Sequence, residues 1–413
     1  MTAPIPAGVT TARDIVRPAL AASLERLPAT MRQVAAYHLG LSDVADVAGG
    51  VTVVNGAHGI TDVDEVGAAN AVTGANAVTG ANRVTGANRV TDANAVTDAN
   101  VANGATGPAA APTGIVMAAS GGASGGKALR PALALLSVRA AGEPAERGVP
   151  AAVAVELVHN FSLLHDDIMD GDTERRHRPT AWTVFGAPAA ILAGDALLAL
   201  AQDILLEDGG PQARWAARCL LAAVQRLISG QSADMEFEQR RSVSMDECLT
   251  MAGDKTAALM ACACSIGAIY TGAPPSLAMR LADFGSHVGL AFQLVDDLLG
   301  IWGAPEVTGK AVWSDLRTRK KTLPVVAAMA GPACGAAASR ELCDLLARPD
   351  PLTEDDLSRA ASLVEEAGGR RWAEQETTRQ LEAADNCLID APIPEDVRVE
   401  LTEIARFIAD RES

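Results

Sequence analysis

The amino-acid sequence predicts an all-α fold, and three observations carry that expectation. Hydrophobic residues form 49% of the 413-residue chain but aromatics only 3%, so the core must be built from Ala, Leu and Val. Such a composition favours closely packed helices over sheets. Long Ala/Leu-rich stretches are cut by Gly/Pro turns at Glu143-Pro144, Gly209-Gly210-Pro211, Gly272 to Pro275, Gly331-Pro332, Pro349 to Pro351, Gly368-Gly369 and Pro392 to Pro394. No alternating strand pattern with hairpin dipeptides appears among them.

Taken in order, residues 11–42 have helical spacing: Ile15, Leu20, Leu24 and Leu27, then Met31, Val34 and Tyr37, with a break at Pro28. From about Asp43 to Ser124 the chain turns to Gly, Ala, Asn, Thr and Val, without Leu, aromatics or Lys. Within it Asn70, Asn76, Asn82, Asn88, Asn94 and Asn100 recur every six residues, and Val72, Val78, Val84, Val90 and Val96 keep step. Stacked coils of a β-solenoid are one reading, but the repeat is too short for a stable stack. Residues 43–124 are therefore expected to be a disordered linker with too little apolar surface to order itself, and its composition names no partner. Helical patterning resumes at 125 and continues to 413, so residues 1–42 and 125–413 are expected to build one domain.

Bulk properties exclude several functions. A net charge of −17 argues against nucleic acid, so an anionic substrate needs a local basic cluster or a metal. Seven cysteines without a CxxC pair suggest free thiols in a reducing cytoplasm. The N-terminal MTAPIPAGVTTARD lacks signal-peptide patterning. Ala187 to Ala201, interrupted by Gly194 and Asp195, looks too short to cross a membrane.

Chemistry concentrates where apolar helices end in carboxylates. Val158 to Asp170 closes on Asp166, Asp167 and Asp170, with Asp166 and Asp170 four apart on one face, and Arg175-Arg176-His177-Arg178 follow. Converging carboxylates demand a cation, and hard oxygen ligands suit magnesium held jointly with substrate phosphates. Arginines match those phosphates in geometry. A lone DDxxD is weak evidence, but a second apolar helix, Phe292 to Asp297, ends in Asp296-Asp297 with Gln293 one turn earlier. Lys127 and Arg130, Lys255-Thr256, and Lys320-Lys321 add cations, each alone more often a surface charge than a ligand. His159 lies seven before Asp166 on nearly the same face, while His165 reads as supporting structure.

Six ordered motifs then resemble the trans-polyprenyl diphosphate synthases, such as farnesyl and geranylgeranyl diphosphate synthases. They are GGKALRP (125–131), ELVHNFSLLHDDIMDGDTERRHRPT (156–180), AGDALLALA (193–201), DKTAAL (254–259), GLAFQLVDDLLG (289–300) and SDLRTRKKTLP (314–324). The resemblance spans residues 11–45 and about 120–413. It implies an isoprenoid synthase type I bundle around a deep cavity, usually a homodimer, that condenses isopentenyl diphosphate with an allylic diphosphate. Carried over by position, it implies several magnesium ions per site on Asp166, Asp167, Asp170 and Asp296, with Asp297 beside them. It implies Lys127, Arg130, His159 and Arg176 for isopentenyl diphosphate, and Arg175, Lys255 and Lys320 for the allylic diphosphate. Thr256 and Gln293 would line the reaction site.

Two departures stand out: Gly300 replaces the third aspartate of the second motif, and His177 follows the arginine pair in place of glycine. For product length, small Ser162 leaves room beside the aspartate helix while Phe161, five before Asp166, can form a floor. The expected product is geranylgeranyl-sized. A class I terpene cyclase is the rival enzyme, yet its Asn-x-x-x-Ser-x-x-x-Glu site is missing, since Asn386 is the only asparagine after Asn160. A non-catalytic subunit or scaffold is the other rival, and such subunits usually lose the first aspartates, which this chain keeps.

Overall fold

The computed structural model describes residues 5–43, 128–175, 177–304, 311–330 and 336–409. The expected linker beyond Asp43, together with Lys127, Arg176 and the turn at Gly331-Pro332, lies outside the described residues.

The helical class holds. Helices α1 (Ala7–Leu24) and α2 (Ala29–His38) meet at the expected break, with Pro28 standing directly before α2. Then come α3 (Leu129–Ala140), α4 (Val149–Met169), α5 (Ala181–Phe185), α6 (Ala187–Leu206), α7 (Pro211–Gln239) and α8 (Met245–Ala252). A π-helical turn (Gly253–Ala257) leads into α9 (Ala258–Thr271) and α10 (Pro275–Trp302). Helices α11 (Ser314–Arg317), α12 (Leu323–Ala330), α13 (Ala336–Leu346), α14 (Glu354–Glu366), α15 (Gly369–Leu388) and α16 (Glu395–Ala409) complete the order.

Punctuation falls where glycine and proline place it. Pro211 and Pro275 sit in the first turns of α7 and α10, where a missing N–H costs nothing. One feature departs from the helical expectation: β1 (Glu174–Arg175) pairs antiparallel with β2 (Arg178–Pro179). Two-residue strands are too short to leave an alternating pattern in the sequence.

Helix α9 is the axis of the bundle. Its run Leu259, Met260, Cys262, Ala263, Cys264 and Ile266 is buried on every side, as a helix without a polar face must be. It packs against α3, α7 and α10, while α6 packs along α4 and α15 along α10. Small side chains let these axes approach closely, which explains how a core so poor in aromatics is filled. A smaller apolar cluster gathers Ile301 and Leu316 with residues of α12, α13 and α14.

The length expected for the Ala187 segment needs correction. Helix α6 runs 20 residues to Leu206, because Gln202 and Asp203 do not stop it, and by length and composition it could cross a bilayer. Its Ala190, Ala193, Leu197, Leu200, Ala201 and Ile204 are buried, whereas Ile191, Leu192 and Leu206 are exposed.

Phe284 on α10 is fully buried in the main core. Its truncation in Phe284→Ala should cost about 3–5 kcal/mol through lost transfer energy and the cavity left behind. Chemical denaturation of the two chains measures this.

Candidate active site

Helix α4 carries the first acidic motif in its last turn. Asp170 N–H donates to Asp166 O at 2.8 Å, so Asp166, Asp167 and Asp170 stack at the C-terminal end of the helix. Carboxylates there face the negative end of the helix dipole, an arrangement that costs stability unless a cation is supplied. Asp167 is 1% exposed; its Oδ1 accepts from Arg175 Nε at 2.6 Å, and its buried Oδ2 has no hydrogen-bond donor. Burial raises its carboxyl above the usual range, and the Arg175 guanidinium partly offsets this. Asp166 is pushed up to about 6 by burial, against the pull of Lys255.

The two lysines expected at the site share one carboxylate that sequence reasoning missed. Lys255 Nζ donates to Asp234 Oδ2 at 2.5 Å, and Lys320 Nζ lies 3.2 Å from the same oxygen. Burial opposes the charge on Asp234, but Lys320 and Lys255 outweigh it and hold the carboxyl below its ordinary value. Burial likewise opposes the charge on Lys320, yet Asp234 first, then Asp315, Asp170 and Asp297, keep its pKa raised. Lys320 therefore lies within electrostatic reach of both acidic motifs at once. The neighbouring Lys321 is buried and donates to Arg319 O at 3.2 Å, so only the first lysine of the pair faces the acids.

Local geometry makes this possible at Gly230 on α7. A Cβ there would lie 2.2 Å from Lys255 N, so only glycine lets α7 touch the π-helical turn and bring Asp234 to Lys255. Ahead of that turn, α8 is anchored by a capping box between Ser244 and Glu247. Single π turns recur at functional sites because they shift the register of the helix that follows.

On the other wall, Thr256 Oγ1 donates to Gln293 Oε1 at 2.6 Å, and Gln293 Nε2 donates to Asp297 Oδ1 at 2.7 Å. Asp297 Oδ2 accepts from Leu323 N–H at 2.9 Å. The second motif thus divides: Asp297 is buried and ties three segments together, while Asp296 is exposed. Burial, then the nearby Asp315, pushes Asp297 up to about 7, against the two donated hydrogen bonds.

Arg130 on α3 and His159 on α4 come together at 3.3 Å between Nη1 and Nε2. One turn nearer the aspartates, the Ser162 hydroxyl donates to His159 O at 2.8 Å, which turns it onto its own helix. Phe161 is buried, its ring edge-on to His165 with centroids 4.9 Å apart, and His165 Nε2 meets Ile191 O of α6 at 3.0 Å.

The donor set fits a magnesium ion shared with phosphates. Raised carboxyls on both motifs, and buried oxygens without donors at Asp167 Oδ2 and Gln231 Oε1, mark negative charge and lone pairs that the protein leaves unmatched. Among the described residues no three ligating side chains close around one point.

Residues 117–364 match the polyprenyl synthetase family model. The chain belongs to this family. The (2E,6E)-farnesyl diphosphate synthase of Mycobacterium tuberculosis is 49% identical over 291 residues, 70% of this chain and 80% of that protein. Geranylgeranyl diphosphate synthase of the same organism is 46% identical over 270 residues, 65% of this chain and 76% of that protein. The crystal structure of a polyprenyl synthetase from Streptomyces coelicolor A3(2) is 42% identical, covers 98% of this chain and 99% of its own, and superposes with a TM-score of 0.75. As a polyprenyl synthetase, the chain is a prenyltransferase with the all-α isoprenoid synthase fold.

A carboxyl raised in the folded state binds its proton more tightly there than in the unfolded chain. Its stabilising contribution is full below about pH 4 and is lost as pH climbs toward the folded value. For Asp297 that window ends at about 7. Asp297→Asn removes the ionisation, and the Gln293 amide and Thr256 hydroxyl can reverse to suit it. Denaturation of the metal-free protein between pH 5 and 8 should show a flatter stability profile for the variant than for the parent.

Proposed function

We propose that this polyprenyl synthetase condenses isopentenyl diphosphate with an allylic diphosphate and releases geranylgeranyl diphosphate. The observation that carries this reading is the pairing of Lys255 and Lys320 with one buried carboxylate, Asp234, within electrostatic reach of Asp170 in one acidic motif and Asp297 in the other. Asp166, Asp170 and Asp296 would hold magnesium there, with Asp167 and Asp297 supporting them from beneath. Magnesium bound at these positions supplies Lewis-acid neutralisation of diphosphate charge.

The remaining work falls to side chains. Lys255 and Lys320, both paired with Asp234, stabilise the charge that builds on the leaving diphosphate, and Arg175 borders the same phosphates. Arg130 and His159 would hold the second diphosphate, with Lys127 and Arg176 assigned there by position alone. Thr256 and Gln293, hydrogen-bonded to each other, would line the place where the allylic carbon becomes cationic. Apolar walls of α4 exclude water that would quench that cation. The proton lost after condensation can pass to the departing diphosphate, so no protein base is needed.

Product length follows from Phe161 as the floor of the tail cavity, braced by His165. A farnesyl-length product is the second reading, favoured by the 49% identity to a farnesyl diphosphate synthase. A homodimer is part of the proposal. Leu221, Ile228 and Met235 recur every seven residues along α7 and are exposed, as are Ile191 and Leu192 of α6, apolar surface suited to a second copy.

Incubation of the purified chain with magnesium, isopentenyl diphosphate and each allylic starter in turn tests the reaction. A linear C20 diphosphate is expected; a cyclic hydrocarbon would establish a cyclase, and no lipid product would leave a non-catalytic subunit. In the same assay Phe161→Ala should lengthen the product by at least one five-carbon unit. Unchanged length would remove Phe161 as the floor.

A further inference from the structure

The hairpin that carries Arg175 has little to hold it from within. Its strands pair only Glu174 with Pro179 and Arg175 with Arg178, and an isolated two-stranded hairpin is marginal at best. His177 at its tip adopts a left-handed φ of 59°, a conformation that costs any residue with a Cβ. The pairing also sets two arginines directly opposite each other, where side chains share a face and like charges repel.

Contacts from α2 and the turn after it offset both costs. The Arg178 guanidinium carbon lies 4.7 Å from the centroid of the Tyr37 ring, within cation–π range. Its Nη2 donates to Ser42 O at 3.2 Å, and Oδ1 of the exposed Asp43 lies 3.9 Å away. The Tyr37 hydroxyl donates to Pro179 O at 2.8 Å, so one buried side chain grips two consecutive residues of the returning strand. Phe185 of α5 stands edge-on to the same ring, with centroids 5.4 Å apart. At the base of the hairpin, Thr180 N–H donates to Thr173 O at 3.0 Å and Trp182 Nε1 to Asp172 O at 2.8 Å. With Arg178 drawn to α2, Arg175 reaches the other way, to Asp167 through its Nε. The two terminal nitrogens of that guanidinium are the part that can fork onto a phosphate.

We propose that Tyr37 and Arg178 are positioning residues: by holding Arg178 against α2, Tyr37 fixes the hairpin so that Arg175 is presented to Asp167 and to the diphosphate beside it. This rests on the reading above in which Arg175 borders the allylic diphosphate. Tyr37 and Arg178 act through Arg175 and not on the substrate. A rival, purely structural role would have them only fasten α2 to the rest of the bundle.

A double-mutant cycle on the full chain separates the two roles, with kcat/KM for geranyl diphosphate at saturating isopentenyl diphosphate and magnesium as the readout. Arg178→Ala should lower it roughly 2–30-fold, the fold-change equivalent to a cation–π contact. Tyr37→Leu should give a similar loss, whereas Tyr37→Phe, which keeps the ring, should lose less. In an Arg175→Ala background Arg178→Ala should cost less than about a further twofold, because residues acting through one partner are not additive. Circular dichroism confirms that each variant is folded; should Arg178→Ala fail to fold, Tyr37→Leu takes its place in the cycle.

Arg178→Ala without effect beside an impaired Arg175→Ala overturns the proposal alone. An equal loss from Arg178→Ala in both backgrounds assigns Tyr37 and Arg178 to the structural role and overturns it as well. If Arg175→Ala itself leaves kcat/KM unchanged, the reading of Arg175 fails and the proposal falls with it.

Discussion

The sharing of Asp234 between Lys255 and Lys320 is the interaction on which the site depends. Asp234 is buried and both lysines are half-buried, a setting in which an unpaired charge is costly while a paired one is tolerated. One carboxylate neutralises only part of two ammonium charges, and Lys320 also lies within electrostatic reach of Asp315, Asp170 and Asp297. The aspartates carry the opposite imbalance, visible in the raised carboxyls of Asp166 and Asp297. A cleft holding unmatched charge of both signs is suited to a ligand that also carries both. A magnesium diphosphate is such a ligand.

Packing exists to hold those charges at fixed separation. The glycine at 230 and the small residues of α9 allow α7, the π-helical turn and α10 to approach within backbone contact, and Thr256, Gln293, Asp297 and Leu323 then lock the walls together. Preorganisation of this kind matters because dipoles already in place need not reorganise when charge develops on the leaving group. The price is a metal-free state in which like charges strain the end of α4 against its own dipole.

Much of this was legible in the sequence, for identifiable reasons. Helix ends were visible because glycine and proline mark them, and the acidic motifs because clustered carboxylates beside apolar turns are hard to explain as surface. Asp234 left no such mark: it is a single acid on a long amphipathic helix, and its partners lie 21 and 86 residues away in sequence. Only Gln231, one turn before it, hinted at a polar inward face. The division of Asp296 from Asp297 was equally hidden, since adjacent aspartates read alike until Leu323 and Gln293 are seen to claim one of them. The extent of α6 was hidden because Gly194 and Asp195 read as interruptions of its apolar run, although neither a single glycine nor an exposed charge ends a helix.

Gly300 shows how the same limit affects a motif that is visible. Along the chain it appears as a lost ligand, because a motif is counted by consecutive spacing. In space the carboxylate is present, carried by a different segment and fastened by Ser314 to the carbonyl of the glycine that seems to lack it. The steric term makes the two positions exclusive: a side chain at 300 and the observed Asp315 cannot occupy the same volume.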